Sequence, residues 1–348
     1  MIRLSVRSTY GYGAIALLGA AVLPWTAANP AYWSLMVAGS MVVSASLVLL
    51  WRADAVSMPL VLGGALVLRL FYLPLEPVLS DDIYRYLWDA RLLVEGGINP
   101  YAHPPEADVL RSWRDDWLYP ALNSQAYHSI YPPFSQAVFA ASYLIGGEGW
   151  TSYYMMKVML VAAELSGVWA LGRYVDARDL MLYAWHPLAL LEVAGQGHTE
   201  ALAVGGVGMA LWAVWTQRKY LAAVAIALAG LAKLYPWVAF AWLFRRYGFR
   251  PVLVGGAVIA ISFVPFWYST LLADIGQSLR LYVQLFEFNA GPYYGVKEVL
   301  EILTGQDWSK VIGPVFGGLT LLALAAWIVR DWLKPVSFAT FIAGALGR

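Results

Sequence analysis

Pro59-Leu60-Val61-Leu62-Gly63-Gly64-Ala65-Leu66-Val67-Leu68-Arg69-Leu70-Phe71-Tyr72-Leu73-Pro74-Leu75 is followed almost at once by Ser80-Asp81-Asp82. The first stretch is apolar except for Arg69 and is long enough to cross a bilayer as a helix. The second opens a segment rich in charge. A span that delivers a charged loop to one membrane face therefore sets the fold, and the rest of the chain repeats the pattern. Hydrophobic residues make up 60% of the sequence and charged ones 13%, with a mean hydropathy of +0.60, which excludes an ordinary soluble domain. A formal net charge of +1 gives no footing for nucleic acid. The absence of cysteine excludes disulfides, thiol nucleophiles and thiolate metal sites.

Outward from Pro59–Leu75, apolar segments recur at Tyr12–Ala28, Tyr32–Leu50, Thr151–Leu171, Leu180–Gly197 and Ala201–Trp215. Others lie at Tyr220–Lys233, Tyr235–Phe244, Val252–Tyr268 and Val311–Val329. The expectation is an all-α integral membrane protein, a polytopic bundle of about ten transmembrane helices. Arg3, Arg7 and Thr26-Ala27-Ala28 could frame a signal peptide, but spans follow directly, so the first segment reads as an uncleaved helix. Basic residues at Arg52, Arg173/Arg178, Arg218/Lys219, Arg245/Arg246/Arg250 and Arg330/Lys334 join Arg3/Arg7 on one side. The positive-inside tendency makes that side, and the N-terminus, cytoplasmic. The long 76–150 connection is then extracytoplasmic, with Gly195–Glu200, Lys233–Pro236 and Leu271–Lys310. The alternation closes if Phe134–Ile145 is a juxtamembrane helix and Tyr220–Phe244 is broken at Leu234-Tyr235-Pro236.

Within the loop, Ser80–Arg91 reads as an amphipathic helix capped by Ser80, with Ile83, Leu87, Ala90 and Val94 on one face and an end near Gly96-Gly97. Asp81 and Asp82 suit the helix dipole, and Asp81 could pair with Arg85. Equally, a carboxylate at a membrane surface could take the proton of an attacking hydroxyl. Four further groups lie on the same side. Tyr131-Pro132-Pro133 is a rigid helix entry. Gly195-Gln196-Gly197-His198-Thr199-Glu200 brings His198 and Glu200 to a helix junction suited to anions. Lys233-Leu234-Tyr235-Pro236 puts a cation at a helix break, either snorkelling or holding an anion. Phe286–Gly295 is a loop of aromatic faces and amides. Among charges within spans, Lys157 and Glu164 share a helix face and are expected to pair, while Glu192, close to the Gly195–Glu200 turn, could support the site from behind.

These motifs resemble a known group. Ser80-Asp81-Asp82-Ile83-Tyr84-Arg85-Tyr86-Leu87-Trp88-Asp89 followed by Gly97-Ile98-Asn99-Pro100-Tyr101 looks like the first outer loop of polytopic GT-C glycosyltransferases. The likeness is to bacterial polyprenyl-phosphate-dependent mannosyltransferases and to the eukaryotic GPI mannosyltransferase I. Ile130-Tyr131-Pro132-Pro133, Leu191-Glu192 with Gly195–His198, and Lys233–Pro236 follow in the family's order, so the resemblance spans about Ser80 to Tyr294. It implies a single glycosyltransferase domain over 1–348 that transfers a hexose, mannose by default. The donor would be a polyprenyl phosphate and the acceptor a lipid or glycan hydroxyl, with inversion. By motif position Asp82 or Asp81 is the base, and Lys233, Arg85, His198 and Tyr235 hold the lipid phosphate. Tyr84, Trp88, Asn99, Tyr101, Tyr131, Glu192, Glu200, Asn289 and Tyr293 fall to substrate binding. No cofactor is required by the resemblance, with a divalent metal at His198 and Glu200 as an option.

Glu200 stands where relatives often carry Asp. The chain also stops after Val336–Leu346, an apolar stretch too short to span. Relatives usually continue with more helices, so a compact variant, a truncated sequence or a protein partner completing the C-terminal helices is expected. Two other functions fit the same residues in part: a flippase for lipid-linked sugar, and an inactive scaffold subunit. Neither needs the paired aspartates.

Overall fold

The structure, a computed structural model, describes residues 6–52, 56–114, 117–284 and 291–333. Among these it is helical, without strands. α1 (Val6–Ala27) and α2 (Trp33–Trp51) pack as a hairpin, α3 (Met58–Tyr72) follows, and α4 (Asp82–Gly96) opens the long loop. α5 (Pro133–Gly146) ends that loop and packs on α4 and α6 (Trp150–Leu171). α7 (Ala177–Ala184), α8 (Pro187–Ala189) and a π-helical turn (Leu190–Gly195) lead to α9 (Glu200–Trp215) and α10 (Lys219–Gly230). Then come α11 (Ala239–Tyr247), α12 (Phe249–Phe263), α13 (Leu271–Gln284), α14 (Gly291–Thr304) and α15 (Ser309–Leu333).

Among the described residues five helical segments are long and apolar enough to cross a membrane: Tyr10–Ala27, Pro30–Trp51, Trp150–Leu171, Phe249–Phe266 and Ser309–Arg330. Met58–Tyr72, Glu200–Trp215 and Lys219–Gly230 are shorter apolar helices. Two of the expected spans are not single helices. Leu180–Gly197 breaks at Trp185-His186-Pro187, because Pro187 has no N–H to continue the ladder and forces His186 into an extended conformation, ψ 128°. Tyr235–Phe244 is a short 3₁₀ turn (Tyr235–Val238) running into α11. The expected Leu271–Lys310 connection contains two helices, α13 and α14. Of the Phe286–Gly295 loop, Gly291–Gly295 begins α14, and the rest, with Asn289, lies outside the described residues.

The core runs through α1–α9, with a second cluster where α9, α10 and α11 meet. α6 and α9 touch backbone to backbone: a Cβ on Gly205 would sit 2.3 Å from the Ala163 carbonyl oxygen. Small residues that let helices approach this closely are a standard means of association in lipid, where apolar side chains gain little by leaving the tails.

The buried charges pair differently from expectation. Glu164 takes a two-pronged contact from Arg69 of α3 (Nε–Oε2 2.6 Å, Nη2–Oε1 2.7 Å), not from Lys157, and both side chains are fully buried. Seven residues along one helix separate Lys157 and Glu164 by roughly 10 Å of rise, whereas Arg69 lies directly across the interface. Tyr183 donates to Glu164 at 2.7 Å, and the remaining Arg69 donors reach the Ala65 and Ala184 carbonyls. Lys157 instead donates to the Tyr72 and Leu75 carbonyls (3.2 and 2.7 Å), capping the end of α3 just before the charged loop.

Candidate active site

α4 starts at Asp82, with Asp81 at the cap position, and the Ser80 hydroxyl accepts from the Asp82 N–H at 3.3 Å. The helix therefore begins one residue beyond a Ser80 cap, and it ends at Gly97 as expected. Its two acidic side chains share Asn123 and differ in burial. Asp81 is exposed and accepts from Asn123 Nδ2 at 2.9 Å, with Asp82 Oδ1 at 3.3 Å from the same nitrogen. Asp82 is half-buried, and its Oδ2 accepts from the Tyr86 hydroxyl at 3.5 Å. Asp81 does not pair with Arg85. That guanidinium is 2% exposed, bonds Asp89 at 2.9 Å and reaches the Ser124 and Tyr127 carbonyls (3.1 and 2.9 Å), so it braces the loop. Asp89 is the sink of that brace, accepting also from Ser129 and Gln136.

Three more segments close on Asp82. The π-helical turn delivers Gln196–Glu200. His198 donates its backbone N–H to the Glu192 carbonyl (3.0 Å), and its Nδ1 meets the Glu192 carboxylate. Burial pushes the His198 imidazole down, but Glu192, with Glu200 and Asp82 beyond it, outweighs burial and raises it above its ordinary value. At the end of α10 the helix breaks because Trp237 folds back into the space a Gly230 side chain would need, with its Nε1 3.2 Å from the Ala227 carbonyl. The break leaves Lys233 Nζ 2.9 Å from Glu200 Oε1. Thus the cation that sequence reading paired with an anion or with water has a protein carboxylate beside it. α5 is stitched to this break: the Phe134 N–H donates to the Leu231 carbonyl and the Ser135 hydroxyl to the Ala232 carbonyl, each at 3.2 Å. Tyr131-Pro132-Pro133 is thereby held beside Lys233, and the Tyr131 ring packs on Tyr86 and Phe139.

A clamp sets the spacing between these segments. Gln196 Oε1 accepts from the Leu79 N–H at 2.9 Å, three residues before Asp82. The Tyr153 hydroxyl lies 3.0 Å from the Leu75 carbonyl and 3.2 Å from that of Gly195. A cavity of about 510 Å³ leads away from the site. Leu182, Leu188, Val193 and Val204 line it, with Glu192, Glu200 and Tyr235 among its polar groups.

The structure thus gathers Asp82, Asp81, Tyr131, Glu192, His198, Glu200, Lys233 and Tyr235 around one region. It sets other candidates apart. Trp88 and Tyr101 are each 1% exposed and belong to the packed wall, where the Tyr101 hydroxyl meets the Tyr131 carbonyl. Asn99 spends its side chain on the Tyr101 N–H (3.0 Å) and the Phe266 carbonyl (2.8 Å). Tyr84 lies edge-on to Trp150. Tyr293 is on α14 beside Tyr294. Sequence reading assigned no role to Gln196, Thr199 or Tyr86, although all three lie inside motifs it quoted. Among the described residues no three His, Asp or Glu side chains gather as a metal-ligand set, and His198 and Glu200 engage Glu192 and Lys233.

An all-helical membrane protein with acidic, cationic and aromatic groups gathered at helix ends is what a GT-C type glycosyltransferase presents. A family model described as "Alpha-(1->6)-mannopyranosyltransferase, N-terminal domain" matches residues 7–245, and the chain belongs to that family. It is a membrane glycosyltransferase that works with mannose. No curated protein and no solved structure matches it.

Proposed function

We propose that the protein transfers a mannosyl group from a polyprenyl-phosphate donor to a hydroxyl of a lipid or glycan acceptor at the extracytoplasmic face. The observation that supports this is that His198 feels the Asp82 carboxylate and is held by Glu192, while Glu192 and the Lys233-paired Glu200 both line an apolar cavity. In the reaction the acceptor oxygen attacks C1 of the sugar, and Asp82 takes its proton. The C1–O bond to phosphate breaks, and the phosphate keeps the electron pair. Inversion at C1 with a β-configured donor yields an α-linked product. The family's description supports a 6-hydroxyl on a mannosyl acceptor.

A general base at Asp82 rather than Asp81 is favoured because both accept from Asn123, but only Asp82 also bonds the Tyr86 phenol and acts on the His198 imidazole. Lys233 has three donors and can serve phosphate while keeping Glu200. His198, whose protonated form Glu192 favours, can stabilise the charge that develops on the leaving group. Leu182, Leu188, Val193 and Val204 suit the first isoprene units of the carrier. The basic residues on the opposite face support an N-terminus in the cytoplasm.

The test is transfer by purified protein from a polyprenyl-phosphate mannose to mannosyl acceptors, beside Asp82→Asn and Asp81→Asn. Loss in Asp82→Asn is expected, and undiminished transfer in both variants would remove the base assignment. Lipid-linked sugar crossing vesicles without any product would instead favour a flippase.

A further inference from the structure

Eight buried side-chain polar atoms among the described residues lack a hydrogen-bond partner in the protein, and three of them lie on four consecutive residues: Gln196 Nε2, His198 Nε2 and Thr199 Oγ1. Gln196 is 1% exposed and Thr199 fully buried. Three others, on Arg85, Trp88 and Gln136, lie around the loop brace but on separate turns, and those on Tyr247 and Ser278 are single. A buried polar group without a partner costs stability, so three on one turn call for a common reason. The Gln196 amide cannot turn to relieve its own, because Oε1 is committed to the Leu79 N–H. The Thr199 hydroxyl lies beside the Tyr86 phenol, outside good hydrogen-bonding geometry, and that phenol bonds Asp82. Thr199 therefore lies next to His198 in the chain and one phenol away from Asp82.

We propose that Gln196 and Thr199 form the subsite for the transferred sugar, hydrogen-bonding its ring hydroxyls through the free amide N–H and the hydroxyl. The inference rests on the donor reading above. Its chemistry separates the two parts of that donor: Lys233 and His198 carry charge and suit phosphate, whereas a carboxamide and an alcohol are neutral groups that suit sugar hydroxyls. The position also agrees, since C1 must lie between the base-held acceptor and the departing phosphate.

Binding of polyprenyl-phosphate mannose and of sugar-free polyprenyl phosphate to the purified full chain separates the sources. In Thr199→Val the mannosyl lipid should bind about tenfold more weakly, with sugar-free lipid within twofold of wild type. The melting temperature should stay level or rise, because an unpaired hydroxyl has been removed from the interior. Thr199→Ser should restore sugar binding. Gln196→Glu keeps the oxygen for Leu79 and loses the free N–H, and should give the same selective weakening. Equal weakening of both lipids, unchanged binding of the mannosyl lipid, or a lower melting temperature in Thr199→Val would overturn the subsite. Wild type that binds neither lipid and transfers nothing overturns the donor reading and the subsite with it. Wild type that transfers while both variants bind mannosyl lipid normally overturns the subsite alone.

Discussion

Two polar clusters in this protein are built from the same kinds of residue and finish differently. Between α3, α6 and α7, the buried Arg69 and Glu164 and the half-buried Tyr183 satisfy one another, with the spare guanidinium donors on backbone carbonyls. Some turns away, Asp82, Gln196, His198, Thr199, Glu200 and Lys233 gather with several groups only partly engaged. In the first cluster the Arg69–Glu164 charges are spent on each other, and they tie three helices together inside an apolar bundle. The second keeps free donors at stability's expense, as a site must if its hydrogen bonds are to be made with substrate. Saturation, rather than charge, distinguishes these two clusters.

Substitutions can break that contrast. Asp82→Asn should lower turnover by about 10²- to 10⁴-fold, the range for a general base, with an unchanged melting temperature. Asp81→Asn should do much less, and steady-state transfer assays decide between them. Arg69→Met should act in the opposite way. It leaves Glu164 buried without its cation, which costs about 3–5 kcal/mol; thermal denaturation should show the loss, while the folded fraction keeps its KM. A Glu164-linked fall in donor affinity without loss of stability would blur the two clusters into one.

Lys233→Met should weaken donor binding by about 10- to 100-fold, as for a hydrogen bond to a charged group. Adding Glu200→Gln should recover stability and leave binding low, which separates phosphate contact from ion-pair repair. The smallest effect concerns pH. His198 is raised above the ordinary imidazole value by Glu192, Glu200 and Asp82 against the pull of burial. A group raised on folding stabilises fully below its unfolded value, near pH 6.5, and loses that contribution as pH climbs through the folded value. The melting-temperature advantage of wild type over His198→Gln should therefore be largest in mild acid and shrink toward alkaline pH. An advantage that grows with pH would mean that His198 is held neutral.

Much of the site was legible because its pieces are short motifs with local causes. Asp81-Asp82 at a helix start, Pro132-Pro133 at a helix entry and Lys233 at a break before Pro236 each follow from backbone chemistry within a few residues. Less legible were partners chosen across helices. Lys157 and Glu164 share a face, yet Glu164 goes to Arg69, because the neighbouring helix is nearer than two turns along the same one. Arg85 likewise sits one turn from both Asp81 and Asp89, and the folded loop chose Asp89 by wrapping the carbonyls of Ser124 and Tyr127 around the guanidinium. The break at Trp185-His186-Pro187 was announced by its proline, but the long apolar run around it outweighed that signal.

Sequence alone determined the membrane class, the charged loop and the membership of the acidic and basic motifs. Hydropathy over a bilayer's thickness and proline's missing N–H are local properties that no packing can reverse. Only the tertiary structure decided which aspartate bonds the Tyr86 phenol, which charges are already paired, and that Gln196 Nε2 and Thr199 Oγ1 are buried without a partner. Those are questions of which surfaces meet, and a hydrogen bond made or left unmade across helices leaves no trace in residue spacing.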